Sequence, residues 1–197
     1  IKYLNLKGGM INLYSRESGS GKTTVLHAIN SIWGMPEELL LSPKDTYNSR
    51  LQRIGTMRNL AVTMDEITNM EPAHLSSQIY DITQGRAKNR LRHQDNAERL
   101  NNTSWATCLL STSNRSVRDA LMSIKNHPDG ELNRVFEMKI RPDPNNDAAW
   151  SKAHFGRLYK NYGHAIEPFA QHLIANLGTI LDTTIPTIQA RVNRDAK

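Results

Sequence analysis

The spacing of apolar positions changes several times along the chain, and each change marks a predicted element. Residues 10–14 (Met-Ile-Asn-Leu-Tyr) follow the Gly8-Gly9 pair and read as a short strand. A run of Gly and Ser comes next. Val25, Ile29 and Ile32 then recur at helical spacing, which predicts a helix from Lys22 to Trp33 that Gly34 ends, with Pro36 just beyond. Residues 39–41 read as a short buried strand or turn, and 48–55 as a helix carrying Arg50 and Arg53. An apolar strand over 59–65 runs into Asp65-Glu66, and a helix covers 72–83. After a polar, basic stretch over 84–103, strand character returns at 105–111. A helix over 116–125 and an alternating strand over 135–140 precede the Pro142-Asp143-Pro144 boundary. From about Asp147 the pattern is helical, with Gly163, Gly178 and Pro186 as expected interruptions. Strands that alternate with helices predict an α/β fold. Its mostly parallel central sheet is flanked by helices, and a helical C-terminal segment follows. The division implied is a core over 1–145 and an added segment over 146–197.

Composition narrows the partners more than the fold. The 197 residues fit one domain with a small appendage, and the net charge of +6 makes an anionic partner plausible. Cys108 is the single cysteine, which excludes an intramolecular disulfide and fits a reducing, cytoplasmic setting; in its strand it reads as core filler. No apolar run reaches the length of a membrane span, so no membrane partner is expected. The sequence opens on Ile1 rather than Met and reads as part of a longer chain.

The segment with the most specific chemistry is Ser15-Arg16-Glu17-Ser18-Gly19-Ser20-Gly21-Lys22-Thr23-Thr24. Small residues between a strand and a helix let backbone N–H groups turn inward around phosphate oxygens, and the helix adds its positive end. Glu17 through Thr24 are therefore the candidate nucleotide-binding residues. Lys22 is expected on the β- and γ-phosphates and the Thr23 hydroxyl on magnesium. Arg16 departs from the pattern, which asks for glycine at that first position.

Asp65 and Glu66 stand at the end of an apolar strand, the edge at which open parallel sheets bind ligands. Asp65 is the second candidate for magnesium, and Glu66 the candidate that polarises the attacking water. The acidic pair favours an ATPase over a small-molecule kinase. Asn114, after the 105–111 strand, either reaches the γ-phosphate or the water, or belongs to an ordinary turn in which Ser113 or Asn114 caps the next helix. Arg134, just before the last strand, is either a finger to a neighbouring subunit's γ-phosphate or half of a surface salt bridge. Residues 86–92 carry four cations in seven positions. Lys88, Arg90 and Arg92 alternate, so a strand would place them on one face, and Asp95-Asn96 would turn the chain back into a hairpin. Such a hairpin either tracks a DNA backbone or is a solvated charged face.

Several of these pieces, in order, resemble the ATPase domains of phage and plasmid primase–helicase proteins. They are residues 17–24, Ile32-Trp33-Gly34, Asp65-Glu66, Gly85 to Arg90, Leu110-Ser111-Thr112, and Asn161-Tyr162-Gly163-His164-Ala165. The resemblance lies within the phosphate-loop ATPases that carry an added catalytic glutamate. It implies ATP and magnesium as ligands, and a hexamer or other ring acting on single-stranded or forked DNA. It also implies a possible primase partner and Walker A and B roles for the loop and the acidic strand. The sheet arrangement leans towards the AAA+ or superfamily 3 type, with the RecA type open. Two other functions fit the residues: a nucleotide-gated DNA-binding or assembly ATPase without processive unwinding, and a small-molecule kinase.

Overall fold

Strand β1 (Gly8–Tyr14) lies inside a five-stranded sheet, with helix α1 (Lys22–Trp33) following it after the Gly/Ser-rich loop. This computed structural model describes residues 8–86, 90–91, 98–99, 103–141 and 147–195. A single-turn helix α2 (Pro36–Leu39) leads into β2 (Leu40–Leu41), and α3 (Tyr47–Met57) into β3 (Val62–Met64). Helix α4 (Pro72–Gln84) precedes a hairpin of β4 (Arg90–Leu91) and β5 (Glu98–Arg99). Then come β6 (Thr107–Ser113), α5 (Val117–Met122), α6 (Asp129–Leu132) and β7 (Val135–Lys139). The sheet order is β2-β3-β6-β1-β7, and every pairing in it is parallel. Parallel pairing demands crossovers, which the intervening helices supply, and it buries both faces of the central strands. The predicted α/β fold with a parallel, helix-flanked sheet is what the chain adopts.

Met10, Val62, Met64 and Leu109 from the sheet meet Ile54, Leu75, Ile79, Ile82 and Leu121 from the helices in one buried cluster. Leu75, Ile79 and Ile82 recur at helical spacing and are fully buried. At roughly 1.5–3 kcal/mol for each such side chain, they are enough to fix α4 against the sheet.

The α1 stripe behaves differently from a core stripe. Lys22, Leu26 and Asn30 are the residues of α1 that face inward, whereas Val25 and Ile32 are about two-fifths exposed.

Two strands shift at both ends from the sequence reading. The 59–65 strand shortens to Val62–Met64, because the Leu60 N–H closes a turn on the Met57 carbonyl. The 105–111 strand moves to Thr107–Ser113, because Trp105 donates its backbone N–H to Gly85 and its indole N–H to Ile82, closing the base of the hairpin.

The C-terminal segment comprises α7 (Ala148–Phe155), α8 (Ile166–Ala175), and a continuous path from α9 (Leu177–Thr179) to α10 (Ile185–Asp195). Gly178 and Pro186 do not interrupt that path, contrary to expectation. Proline supplies no N–H and its ring crowds the carbonyl four residues back, and the turn before it, Ile180–Thr184, widens to π geometry. The segment rests on α1. Tyr159 Oη and His27 Nδ1 are 2.6 Å apart, Phe169 meets Trp33 edge-on at 5.5 Å, and the Gly163 N–H bonds the Ser31 carbonyl. Two of the short pieces that carried the resemblance, around Trp33 and Gly163, thus touch each other. No described residue of α8 is buried, and Ile174 is 80% exposed. Among the described residues, no helix is long and apolar enough to cross a membrane.

Candidate nucleotide-binding site

Parallel strands bring their C-terminal ends to one edge, and register decides which residues meet there. Tyr14 pairs with Ser113 and Met64 with Ser111. One residue further on, Asp65 lies beside Thr112, and the loop after Tyr14 lies beside Asn114. The loop itself turns through Gly19 and Gly21, both with φ near +75° to +79°, a region L side chains rarely adopt. Gly21 is also the N-terminal boundary of α1.

Lys22 is buried, and its ammonium donates to the Ser15 carbonyl at 3.1 Å, the Glu17 carbonyl at 3.2 Å and Ser20 Oγ at 3.0 Å. Three oxygens therefore surround a cation that the loop holds at its centre. Thr23 Oγ1 donates to Asp65 Oδ2 at 3.0 Å, and Thr112 Oγ1 donates to Asp65 Oδ1. A hydroxyl and a carboxylate from two elements, facing each other, form the hard-oxygen donor set that magnesium prefers. The loop and the acidic strand, 42 residues apart, share one site.

Glu66 has left-handed backbone geometry, φ 53° and ψ 43°, which is uncommon for a residue with a side chain. Its N–H donates to Asp65 Oδ1 at 3.0 Å and to Thr112 Oγ1 at 3.2 Å, and these bonds hold the strained turn. The Asn114 amide donates to both carboxylate oxygens of Glu66, at 3.0 and 2.9 Å, and Asn69 donates to one of them at 2.9 Å. The helix-capping alternative for Asn114 does not hold. Ser116 caps α5 itself, accepting from the Asp119 N–H at 3.0 Å, and Ser113 Oγ turns to the Arg115 carbonyl.

A cleft of about 860 Å³ opens beside the loop. Its polar end is the loop with Glu66 and Asn114; its apolar end is Val25, Ile29 and Ile32 of α1 with Trp150 and Phe155 of α7. The predicted helical stripe of α1 thus faces a ligand-sized space instead of the core. Trp150 is 53% exposed and stacks on His154 with ring centroids 4.0 Å apart. Arg141, just past β7, also lines this cleft. Sequence reasoning missed Arg141, Trp150 and Phe155, since their distance along the chain from the loop carries no local signal.

Arg134 lies at the other end of the sheet. Its carbonyl bonds Met10 N–H near the start of β1, and its guanidinium sits over the Tyr80 ring at 4.7 Å and donates to the Gly130 carbonyl. It is remote from this chain's own loop, and among the described residues it forms no salt bridge. In the basic stretch, Arg90 pairs with Arg99 across the antiparallel hairpin. The side chain of Arg90, and the whole of Lys88, Arg92, Asp95 and Asn96, lie outside the described residues. Cys108 is half-buried within β6, and burial pushes its thiol above the usual range, which suits a packing residue and not a nucleophile.

A parallel α/β sheet with a glycine-lined loop feeding a helix, and a facing carboxylate at the same edge, defines a phosphate-loop type of protein. Residues 1–126 match the family model described as "Domain of unknown function (DUF927)", and the chain belongs to that family. The chain is similar to a solved structure described as "SCCmec type IV Cch - active helicase", with a TM-score of 0.66 and 20% identity. That match covers 90% of this chain and 31% of the helicase chain, so this chain spans about a third of that protein's length. At this identity the likeness carries the fold. No curated protein matches the chain.

Proposed function

We propose that this chain is an ATP-hydrolysing motor domain of a DNA helicase or translocase, built on the AAA+ plan and working in an oligomeric ring. The observation that carries the reading is the contact of Thr23 with Asp65, which joins the phosphate loop to the acidic strand and leaves Glu66 beside them. Lys22 exchanges its loop carbonyls for the β- and γ-phosphates, and backbone N–H groups of residues 17–24 surround the same oxygens. Thr23 and Asp65 hold magnesium, which offsets phosphate charge and orients the chain of phosphates when bound. Glu66 polarises the attacking water, and Asn114 fixes the Glu66 carboxylate for that task. The base and sugar enter the apolar end of the cleft, against Trp150 and Phe155. Arg134, unusable by its own loop, serves the γ-phosphate of an adjacent subunit, and Lys88, Arg90 and Arg92 of the basic stretch meet DNA. Exposed apolar side chains such as Ile174, Leu177 and Ile188 support contact between subunits.

One observation favours a second reading, a nucleotide-gated assembly protein without processive movement. Both Glu66 carboxylate oxygens are already engaged by Asn114, a restraint that suits a switch as well as a motor.

ATP turnover with and without single-stranded DNA, at several protein concentrations, tests the proposal, with Lys22→Ala as control. Turnover that climbs steeply with concentration and with DNA is expected, together with strand displacement on forked DNA. Absence of turnover in assembled wild-type protein would overturn the motor reading. Turnover with DNA binding but no displacement would select the gated one.

A further inference from the structure

Arg16, the departure from glycine in the loop, does not line the nucleotide cleft. It lines a second cleft of about 650 Å³, together with Arg115, Lys139 and Arg141 and the carboxylates of Glu17 and Asp119. Arg16 and Glu17 follow β1, Arg115 follows β6, Lys139 ends β7 with Arg141 two residues beyond it, and Asp119 lies in the first turn of α5. They meet because parallel strands end together, at the edge where such sheets bind ligands. All four cations are exposed. Among the described residues none of the four forms a salt bridge, and none of their side chains donates a hydrogen bond within the protein. Four like charges around one concavity, against two carboxylates, concentrate positive potential and attract anions. Among the described residues, Tyr14 is the only aromatic one lining it, so the cleft offers charge and little stacking surface. A single phosphate would engage only part of the set, whereas a run of phosphodiesters meets several cations in turn.

We propose that this cleft is a second phosphate-binding site, which takes the sugar–phosphate backbone of single-stranded nucleic acid next to the nucleotide. The proposal rests on the reading that the protein works on nucleic acid, and it names a site that the hairpin does not supply. Arg115 directly follows Asn114, so a strand in this cleft contacts the turn that holds Glu66.

The test is the salt dependence of oligothymidine binding by the full chain, compared with Arg115→Ala/Lys139→Ala. Each single-strand phosphate contact contributes a slope of about −0.7 in log K against log salt, so losing two flattens it by about 1.4. At 0.1 M salt that corresponds to about a 25-fold weaker complex. Mg·ATP binding should not change, and Arg115→Lys/Lys139→Arg should keep the wild-type slope. An unchanged slope in the alanine variant overturns the proposal. If instead inorganic phosphate binds and the alanine variant loses it while the slope is unchanged, the cleft takes free phosphate and the nucleic-acid assignment falls. If the slope flattens but the wild type binds no Mg·ATP, the second site stands and the motor reading fails.

Discussion

Replacing Asn114 by alanine removes the group that grips the Glu66 carboxylate. The amide donates to both oxygens at 3.0 and 2.9 Å, and Asn69 alone would remain, on one oxygen. A hydrogen bond to an ionised group contributes about 1.5–3 kcal/mol. Asn114 and Glu66 stand in contact with solvent, which favours the lower bound, about 1.5 kcal/mol. If Glu66 must keep this orientation to polarise water, the loss appears in kcat as a decrease of about tenfold. Given the roles proposed for the loop and Thr23, binding of Mg·ATP should stay within about twofold. Steady-state turnover at saturating Mg·ATP, with calorimetry for affinity, separates the two quantities. A second substitution, Asn69→Ala, should deepen the loss by more than its own single effect, since the two amides share one carboxylate. Unchanged kcat in Asn114→Ala would refute the positioning role. A rise in DNA-free turnover would make Asn114 a restraint and move the balance towards the gated reading.

Trp150→Ala should weaken nucleotide binding about fivefold, the lower end of aromatic–base stacking for a half-exposed ring, and nucleotide should quench tryptophan fluorescence less in the variant; equal quenching and affinity would remove Trp150 from the site. Gly8→Ala places a Cβ 2.6 Å from the Ile82 carbonyl oxygen and 3.0 Å from that of Thr107. Both are backbone atoms that cannot swing away, so unfolding should become easier by about 1–3 kcal/mol, measured by denaturant titration. Glu131 is buried; burial pushes its carboxyl up, but hydrogen bonds from Lys125 and Ser76 outweigh this and hold it below the usual glutamate value. A depressed folded-state value stabilises the protein above the ordinary glutamate range and is lost as pH falls through the folded value. The acid limb of a melting-temperature profile should therefore be shallower in Glu131→Gln, and an unaltered limb would contradict this.

Much of the candidate nucleotide edge was legible because its signals are local. The loop dictates a turn, the small residues permit it, and α1 runs from Lys22, after the left-handed Gly21, to Trp33. Asp65-Glu66 was legible as a strand end, though pairing alone decides that the strand spans Val62–Met64. β2 is two residues long and exists through its pairing with β3, a tertiary fact with no sequence period. The apolar half of the cleft was hidden for a related reason. Val25 and Ile32 carry the same pattern whether they face a core or a ligand, and only the arrival of Trp150 from α7 distinguishes the cases. Arg134 invited an ion-pair reading because charge is visible in a sequence, while the Tyr80 ring beneath it comes from α4, far away in the chain.

Helix α1 has a mechanical consequence. Its 12 residues make a rod about 18 Å long, with the phosphate loop at one tip and Gly34 at the other. Trp33 and Ser31, near the far tip, grip Phe169 and Gly163, while His27 holds Tyr159 midway. A tilt imposed on the loop at the near tip would thus be delivered, lever-like, to the outlying helices, where no described residue of α8 is buried to damp it.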